Sequence, residues 1–359
     1  MDNILIKNVL VLPMTGGDRK YFTGHIGVSD GKIDFVSNSD ADVTAFREKH
    51  NGNLKEIDGK GKLAMPGLVN THNHISMTLL RNYADDMALM EWLNDHVWPF
   101  EAREDRNDIL IGAKLGMAEM LLGGVTTTAD MYWLEEAVAD AADQSGIRAV
   151  LSPTFTDARF DDFEKDFAIM AGRYAKGQHP RISMMIAPHS AYTCSIEHLK
   201  YARELADKYD LPIQTHISET LDEQKMVWEK YHKTPLEHLI SVGLLNDTSL
   251  AVHCVHVSDK DISAMKDIGF SVAYNPHSNM KLASGAAPIE KMLQAGINVS
   301  IGTDGPSSNN DLDMWDEMRT GSFLQKLSSG DPTAMPAYQT LQMATVNGAK
   351  ALGFGDKTG

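Results

Sequence analysis

The chain has 359 residues, 43% hydrophobic and 23% charged, which supplies an ample core for one large domain or two ordinary ones. Its formal net charge of -16 would repel a phosphate backbone and an anionic bilayer, so nucleic acid and membrane surfaces are not expected partners. Cys194 and Cys254 are too few for a secreted disulfide framework, the opening Met1-Asp2-Asn3-Ile4-Leu5-Ile6-Lys7 lacks a signal-peptide core, and no run approaches the ~20 apolar residues of a membrane span; the cytoplasm is the expected compartment.

Residues 1–66 read as a small β region. Short β-prone runs at 4–6, 9–12, 25–28 and 32–36 are separated by turn residues, Gly16-Gly17-Asp18 and Asp30-Gly31. An Asp-Gly pair between two such runs is a hairpin signal, and Asp58-Gly59 is a further turn. The polar stretch 37–53 reads as a loop or short helix. About 60 residues are too few to stand comfortably alone, so this region is expected to pack on the main domain.

From residue 67 compact apolar runs recur at 68–72, 126–129, 148–152, 183–187, 213–216, 250–254, 271–274 and 298–301. Helix-like segments lie between them, among them 108–122, 134–145, 196–209, 259–267 and 289–295. Gly123-Gly124, Gly146, Gly269 and Gly296 sit where helix C-caps would precede the next strand. Eight strands alternating with helices point to an α/β fold, a parallel (β/α)8 barrel of about 250 residues. A doubly wound open sheet would show the same alternation. An amphipathic segment follows at 311–326, with Leu312, Trp315, Met318 and Leu324 read as core, and a last helix is expected at 343–352.

The residues that could carry chemistry fall at strand ends. In Gly67-Leu68-Val69-Asn70-Thr71-His72-Asn73-His74 the two histidines lie one residue apart, so on a strand they share a face. His216 ends the fifth strand, His253 lies in the sixth, and Asp304 follows the eighth. In a β/α barrel those ends open onto one face, where active sites sit. Three or four imidazoles with a carboxylate there make a metal site with a position left for water, and a divalent metal brings the pKa of bound water from 15.7 towards about 7. Asp304 could touch the metal and accept that water's proton; Glu219, three residues past His216, would reach the same mouth as a proton carrier. The implied chemistry is hydrolytic attack at an electrophilic carbon, such as a ring amidine, amide or ester.

Pro66-Gly67-Leu68-Val69-Asn70-Thr71-His72-Asn73-His74, His216, His253 and Thr303-Asp304 together resemble the amidohydrolase superfamily, in its single-metal, cytosine-deaminase-like branch. Closer still is the resemblance to the 5-methylthioadenosine/S-adenosylhomocysteine deaminases. It is carried by Met90-Glu91-Trp92-Leu93 through Trp98-Pro99-Phe100-Glu101, by Ala187-Pro188-His189-Ser190-Ala191-Tyr192, by His216-Ile217-Ser218-Glu219-Thr220 and by Asn275-Pro276-His277-Ser278-Asn279 with Gly302-Thr303-Asp304-Gly305. Nearly the whole chain is covered. The resemblance implies a (β/α)8 barrel over residues 67–354. It also implies a small β-sandwich-like domain begun by residues 1–66, with 355–359 starting the return to it. Relatives continue past this point with a strand-rich segment, and without it the N-terminal strands are expected to leave unpaired edges.

For the site, the resemblance implies that His72, His74, His216 and Asp304 ligate one divalent ion, usually zinc and in some relatives iron. His253 would orient the attacking water, and Glu219 would carry a proton to the purine nitrogen beside the amino-bearing carbon and then to the leaving ammonia. Glu101 would hold the ribose hydroxyls, since a carboxylate accepts two hydrogen bonds from a vicinal diol. His189 would contact purine or ribose, and Arg159 would meet the amino-acid carboxylate of S-adenosylhomocysteine. The expected reaction is hydrolytic deamination of the adenine ring of 5′-modified adenosines. Guanine deaminases and triazine hydrolases share much of the pattern, and a catalytically dead metal-binding barrel is the distant alternative. Relatives are often homo-oligomers. Trp98, Phe100 and the Met87-Ala88-Leu89-Met90 run are expected to line an apolar pocket or to fill core.

Overall fold

The computed structural model describes residues 3–15, 21–175 and 177–358. Internal contacts divide the chain into two units, Met1–Pro66 with Lys357–Gly359, and Gly67–Asp356. The Gly16-Gly17-Asp18 turn lies outside the described residues.

In the first unit the strands are β1 (Asn3–Val11), β2 (Phe22–Ser29), β3 (Lys32–Ser37), β4 (Leu54–Asp58) and β5 (Leu63–Ala64). They form one mixed sheet in the order β3-β2-β1-β4, with β5 also on β1. The runs at 4–6 and 9–12 are a single strand interrupted by a bulge: register shifts between Ile6 and Val9, and Asn8 takes a φ of 57°. Asp30 and Gly31, with φ of 51° and 75°, make the two-residue turn joining β2 to β3. Two consecutive positive values are what a type I′ hairpin requires. The polar stretch holds a helix, Asp40–Lys49, capped by the Ser39 side chain, with acids in its first turn and Arg47 and Lys49 in its last. It buries Val43 and Phe46 against Leu5, Phe35 and Leu54. A second sheet, as a sandwich would have, is not found among the described residues of this unit.

The second unit is α/β. Its strands are β6 (Leu68–Asn73), β7 (Val125–Tyr132), β8 (Arg148–Phe155), β9 (Ile182–Met184), β10 (Ala187–Pro188), β11 (Gln214–Ile217), β12 (Leu250–His253), β13 (Ser271–Tyr274) and β14 (Val299–Ile301). Every pairing is parallel, in the orders β10-β8-β7-β6 and β11-β12-β13-β14, with β9 on β8. The run expected at 183–187 is split, because the ladder to β8 is interrupted where Ile186 bridges Ile213 and donates to Pro212 O. A second bridge joins Ser190 to His216. At the other end of the strand series, Thr71 Oγ1 donates to Ile301 O at 2.9 Å and Asp304 N to His72 O at 3.0 Å.

The strands bury Val69, Ala129, Val150, Leu250, Val252 and Ala273, with Met185, against Ala349, Ala351 and Leu352. Each buried valine or leucine is worth about 1.5–3 kcal/mol relative to exposure. The last helix expected at 343–352 is two, Ala337–Met343 and Val346–Ala351. The break coincides with a contact distant in sequence: Ala344 O, which would continue the helical ladder, accepts from Val69 N of β6 at 2.9 Å. Gly348 then lies so close to β6 that a Cβ would come within 2.9 Å of Val69 Cβ. The helix expected at 311–326 runs over Met314–Ser329, with Leu312 and Met318 buried as read; Trp315 is half-exposed instead, held by its indole N–H to Gly123 O. No helix among the described residues is long and apolar enough to cross a membrane. Both cysteines are free and buried.

Candidate metal centre and pocket

The C-terminal ends of the parallel strands bring four histidines and an aspartate together. His72 lies within β6 and is fully buried; His74 follows the strand and is partly open. Their Nε2 atoms are 3.3 and 3.1 Å from Asp304 Oδ1. The ligand atoms of His72, His74 and Asp304 lie within 4.8 Å of one another, and so do those of His72, His216 and His253. Backbone strain gathers here: Ser218, His253, Cys254 and Asp304 have φ of 54°, 70°, 50° and 60°. Such left-handed conformations in non-glycine residues persist where the surroundings impose them.

Asp304 is fastened from behind. Ser278 Oγ and Ser308 Oγ donate to its Oδ2 at 2.5 and 2.9 Å, leaving Oδ1 to face the histidines. Gly302 makes that approach possible, since a Cβ there would fall 2.8 Å from both His72 N and His72 O. Against the opposing pull of burial, the His72 and His74 imidazoles facing Oδ1 hold the Asp304 carboxyl well below the usual range. Burial dominates at His72, His189 and His216, whose pKa values fall to about 4, to about 3 and well below the ordinary value. His74 goes the other way: burial opposes it, but the Asp304 carboxylate beside it raises its imidazole to about 9, so a cation taking that place would displace its proton, whereas the neutral imidazoles are already in the form that ligates. His72 Nε2 is moreover buried without a hydrogen-bond partner. The donor set thus fits a divalent ion of the zinc or iron type.

Glu219 is 8% exposed, beyond the end of β11, with Oε2 3.7 Å from His253 Nε2. Burial, and then the charge of Asp304, push its carboxyl up to about 8. Its backbone N–H donates to Glu223, itself raised to about 8 chiefly by burial.

A cleft open to solvent reaches this cluster. His74, His189, His216, Glu219, His253 and Asp304 form its polar end, and Glu101 lines it too. Glu101 is 3% exposed and its carboxyl is raised by burial. Leu89, Trp92, Leu93, Val97 and Trp98 make an apolar wall, while Phe100 is not among the lining residues. Arg159 does not line the cleft either; its guanidinium stacks 4.2 Å over Trp133, which does. Trp133, Tyr132 and Tyr192 also line it. The sequence reading missed all three: it ended the second run at 129, whereas the strand continues to Tyr132 and so carries that residue and Trp133 to the rim.

A model of the amidohydrolase family matches residues 63–359. The chain belongs to the amidohydrolase family. This amidohydrolase is 45% identical over 363 residues to a 5-methylthioadenosine/S-adenosylhomocysteine deaminase of Halothermothrix orenii, covering 99% of this chain and 82% of the relative. It is 46% identical over 366 residues to a 5'-deoxyadenosine deaminase of Methanothermobacter thermautotrophicus, with the same coverage of each. Among solved structures, a zinc-bound adenosine deaminase from Xanthomonas campestris superposes with a TM-score of 0.89 at 36% identity, covering 99% of this chain and 81% of that one. A guanine deaminase from C. acetobutylicum with bound guanine gives 0.88 at 25% identity, covering 100% and 88%.

Proposed function

We propose that this amidohydrolase is a metal-dependent deaminase that converts 5′-modified adenosines, such as 5-methylthioadenosine, S-adenosylhomocysteine and 5′-deoxyadenosine, to the inosine analogue and ammonia. Relatives bearing those activities in their names match nearly the whole chain, which supports the substrate class. The observation that carries the chemistry is Glu219, a buried carboxyl raised to about 8 beside a cluster of imidazoles and an ionised aspartate.

His72, His74, His216 and Asp304 would hold the ion, of which zinc is the proposed identity. When bound it supplies the Lewis acidity that ionises water at neutral pH. Asp304, with Oδ2 already satisfied by two serines, accepts a proton through Oδ1. His253 Nε2 orients the water for attack on the amino-bearing ring carbon. Glu219, protonated at neutral pH, gives its proton to the adjacent ring nitrogen; its carboxylate then takes the proton of the hydroxyl now on that carbon and passes it to the amino group, the C–N bond breaks with departure of ammonia, and the proton held by Asp304 restores Glu219. Glu101 receives the ribose hydroxyls and His189 meets the nucleoside; Arg159, off the cleft and stacked on Trp133, is the cation proposed for the carboxylate of a substrate long enough to pass that ring.

In the same reading residues 67–354 are the hydrolase domain, its strands closing into a (β/α)8 barrel through the Ile186–Ile213 bridge at one side and the β14–β6 contacts at the other. Residues 1–66 are the small β domain, and the protein works in the cytoplasm, as a homo-oligomer. The test is incubation of zinc-loaded protein with 5-methylthioadenosine, S-adenosylhomocysteine and 5′-deoxyadenosine, following the adenine absorbance and ammonia. Stoichiometric conversion is expected. Turnover of guanine or a triazine in place of all three nucleosides would overturn it.

A further inference from the structure

Each of the four clustered histidines has its Nδ1 engaged, so that Nε2 is the atom left for the cluster. His74 Nδ1 meets Met131 O at 2.5 Å and His216 Nδ1 meets His189 O at 2.8 Å. Both partners are main-chain carbonyls, which no side-chain replacement removes. His253 Nδ1 meets Asn279 Oδ1 at 2.9 Å. His72 is held by a side chain from another strand: its Nδ1 lies 3.3 Å from Gln214 Oε1.

The ends of an amide look alike in shape, and only their partners tell oxygen from nitrogen. For Gln214 the partners decide. Its other end faces Asp130 O at 3.0 Å and the Ser152 hydroxyl. A main-chain carbonyl only accepts, so the group facing Asp130 O is the NH2. The oxygen therefore faces His72, and a carbonyl oxygen there requires the hydrogen to sit on Nδ1. His72 Nε2, buried and without a hydrogen-bond partner, is left as the lone-pair nitrogen, 3.3 Å from Asp304 Oδ1.

We propose that Gln214 is a positioning residue for the metal ion: from β11 it fixes the tautomer and ring direction of His72 on β6, using β7 and β8 as the anchor for its own amide. It is fully buried and does not line the cleft. This rests on the proposed place of the cation at His72, and the experiment separates the two. Outer partners of ligating histidines change metal affinity 10–100-fold when removed.

Zinc affinity is measured by competition with a chromophoric chelator for wild type, Gln214→Leu and Gln214→Glu, and unfolding of the metal-free proteins is measured alongside. Gln214→Leu should bind zinc about 10–100-fold more weakly. Gln214→Glu should stay within a few-fold of wild type, because a carboxylate oxygen still accepts from Nδ1. Both variants lose the amide's bond to Asp130 O, and Gln214→Glu also buries a carboxyl, so metal-free stability should fall at least as far in the Glu variant as in the Leu variant; only a positioning role makes the Leu variant the weaker zinc binder. Ser152→Ala, which removes one of the two bonds fixing the amide, should weaken zinc binding by a smaller factor and covers the case in which Gln214→Leu does not fold. Wild-type affinity in a folded Gln214→Leu, or equal loss in the Leu and Glu variants, overturns the proposal. A wild-type protein that retains no zinc would instead sink the placement of the cation itself.

Discussion

Replacing Glu219 by glutamine should make the metal-free protein more stable and the loaded enzyme far slower. The carboxyl is 8% exposed and its pKa rises from 4.5 to about 8, with burial the largest cause. A carboxyl raised in this way binds a proton in the folded state that the unfolded chain releases above about 4.5. Its unfavourable contribution is therefore absent below that pH, grows as pH rises, and levels off above about 8. At pH 7 the interval from 4.5, at about 1.4 kcal/mol per pH unit, comes to on the order of 3 kcal/mol. Glutamine has nearly the same shape and no proton to take up. Denaturant unfolding of metal-free wild type and Glu219→Gln should give similar stabilities near pH 4.5 and a widening advantage to the variant up to pH 8. The same change removes the proton carrier, so deamination at saturating zinc should fall by ~10²–10⁴. A variant no more stable than wild type at pH 8 would refute the burial argument, and an unimpaired rate would remove Glu219 from the chemistry.

Other outcomes follow from the same geometry. Dialysis against a strong chelator should abolish turnover and zinc should restore it, while Asp304→Asn, which keeps the size but not the charge, should retain less than a tenth of the wild-type zinc by elemental analysis. Gly302→Ala places a Cβ 2.8 Å from the His72 backbone and should cost about 1–3 kcal/mol of unfolding free energy and weaken zinc binding; wild-type behaviour would show that the close approach is not needed. Gly31→Ala, at a φ of 75° in the β2–β3 turn, should lower stability by about 1–2 kcal/mol without touching zinc affinity, which denaturant unfolding and chelator competition check together.

What was legible in the sequence follows the kind of information each residue carries. His72, His74, His216, His253 and Asp304 stood out because each sits at the end of an apolar run, and parallel strands bring such ends to one rim. The Asp30-Gly31 turn was legible because its residue pair nearly dictates the backbone. Asn8 was not, since a bulge depends on the pairing of β1 with β2 and leaves the run of β-formers looking like two strands. The break near Ala344 was hidden for the same reason, since it coincides with a hydrogen bond to Val69 from the far end of the sequence. Ser278, Ser308 and Gln214 have ordinary local contexts; their orientation of Asp304 and His72 exists only once distant strands meet. Arg159 was singled out by its chemistry, but its stacking on Trp133 could not be foreseen from spacing.

The bond between Val69 N and Ala344 O also bears on how the protein is made. It ties the strand that bears the first two histidines to a carbonyl synthesised some 275 residues later, and Asp304 too is a late arrival. Contacts of such long sequence separation form slowly and late, after the loop entropy between them has been overcome. A nascent chain therefore displays His72 and His74 on an unfinished strand until Asp304 has been made, and with the proposed ligand set, capture of an ion would follow assembly of the strands rather than seed it.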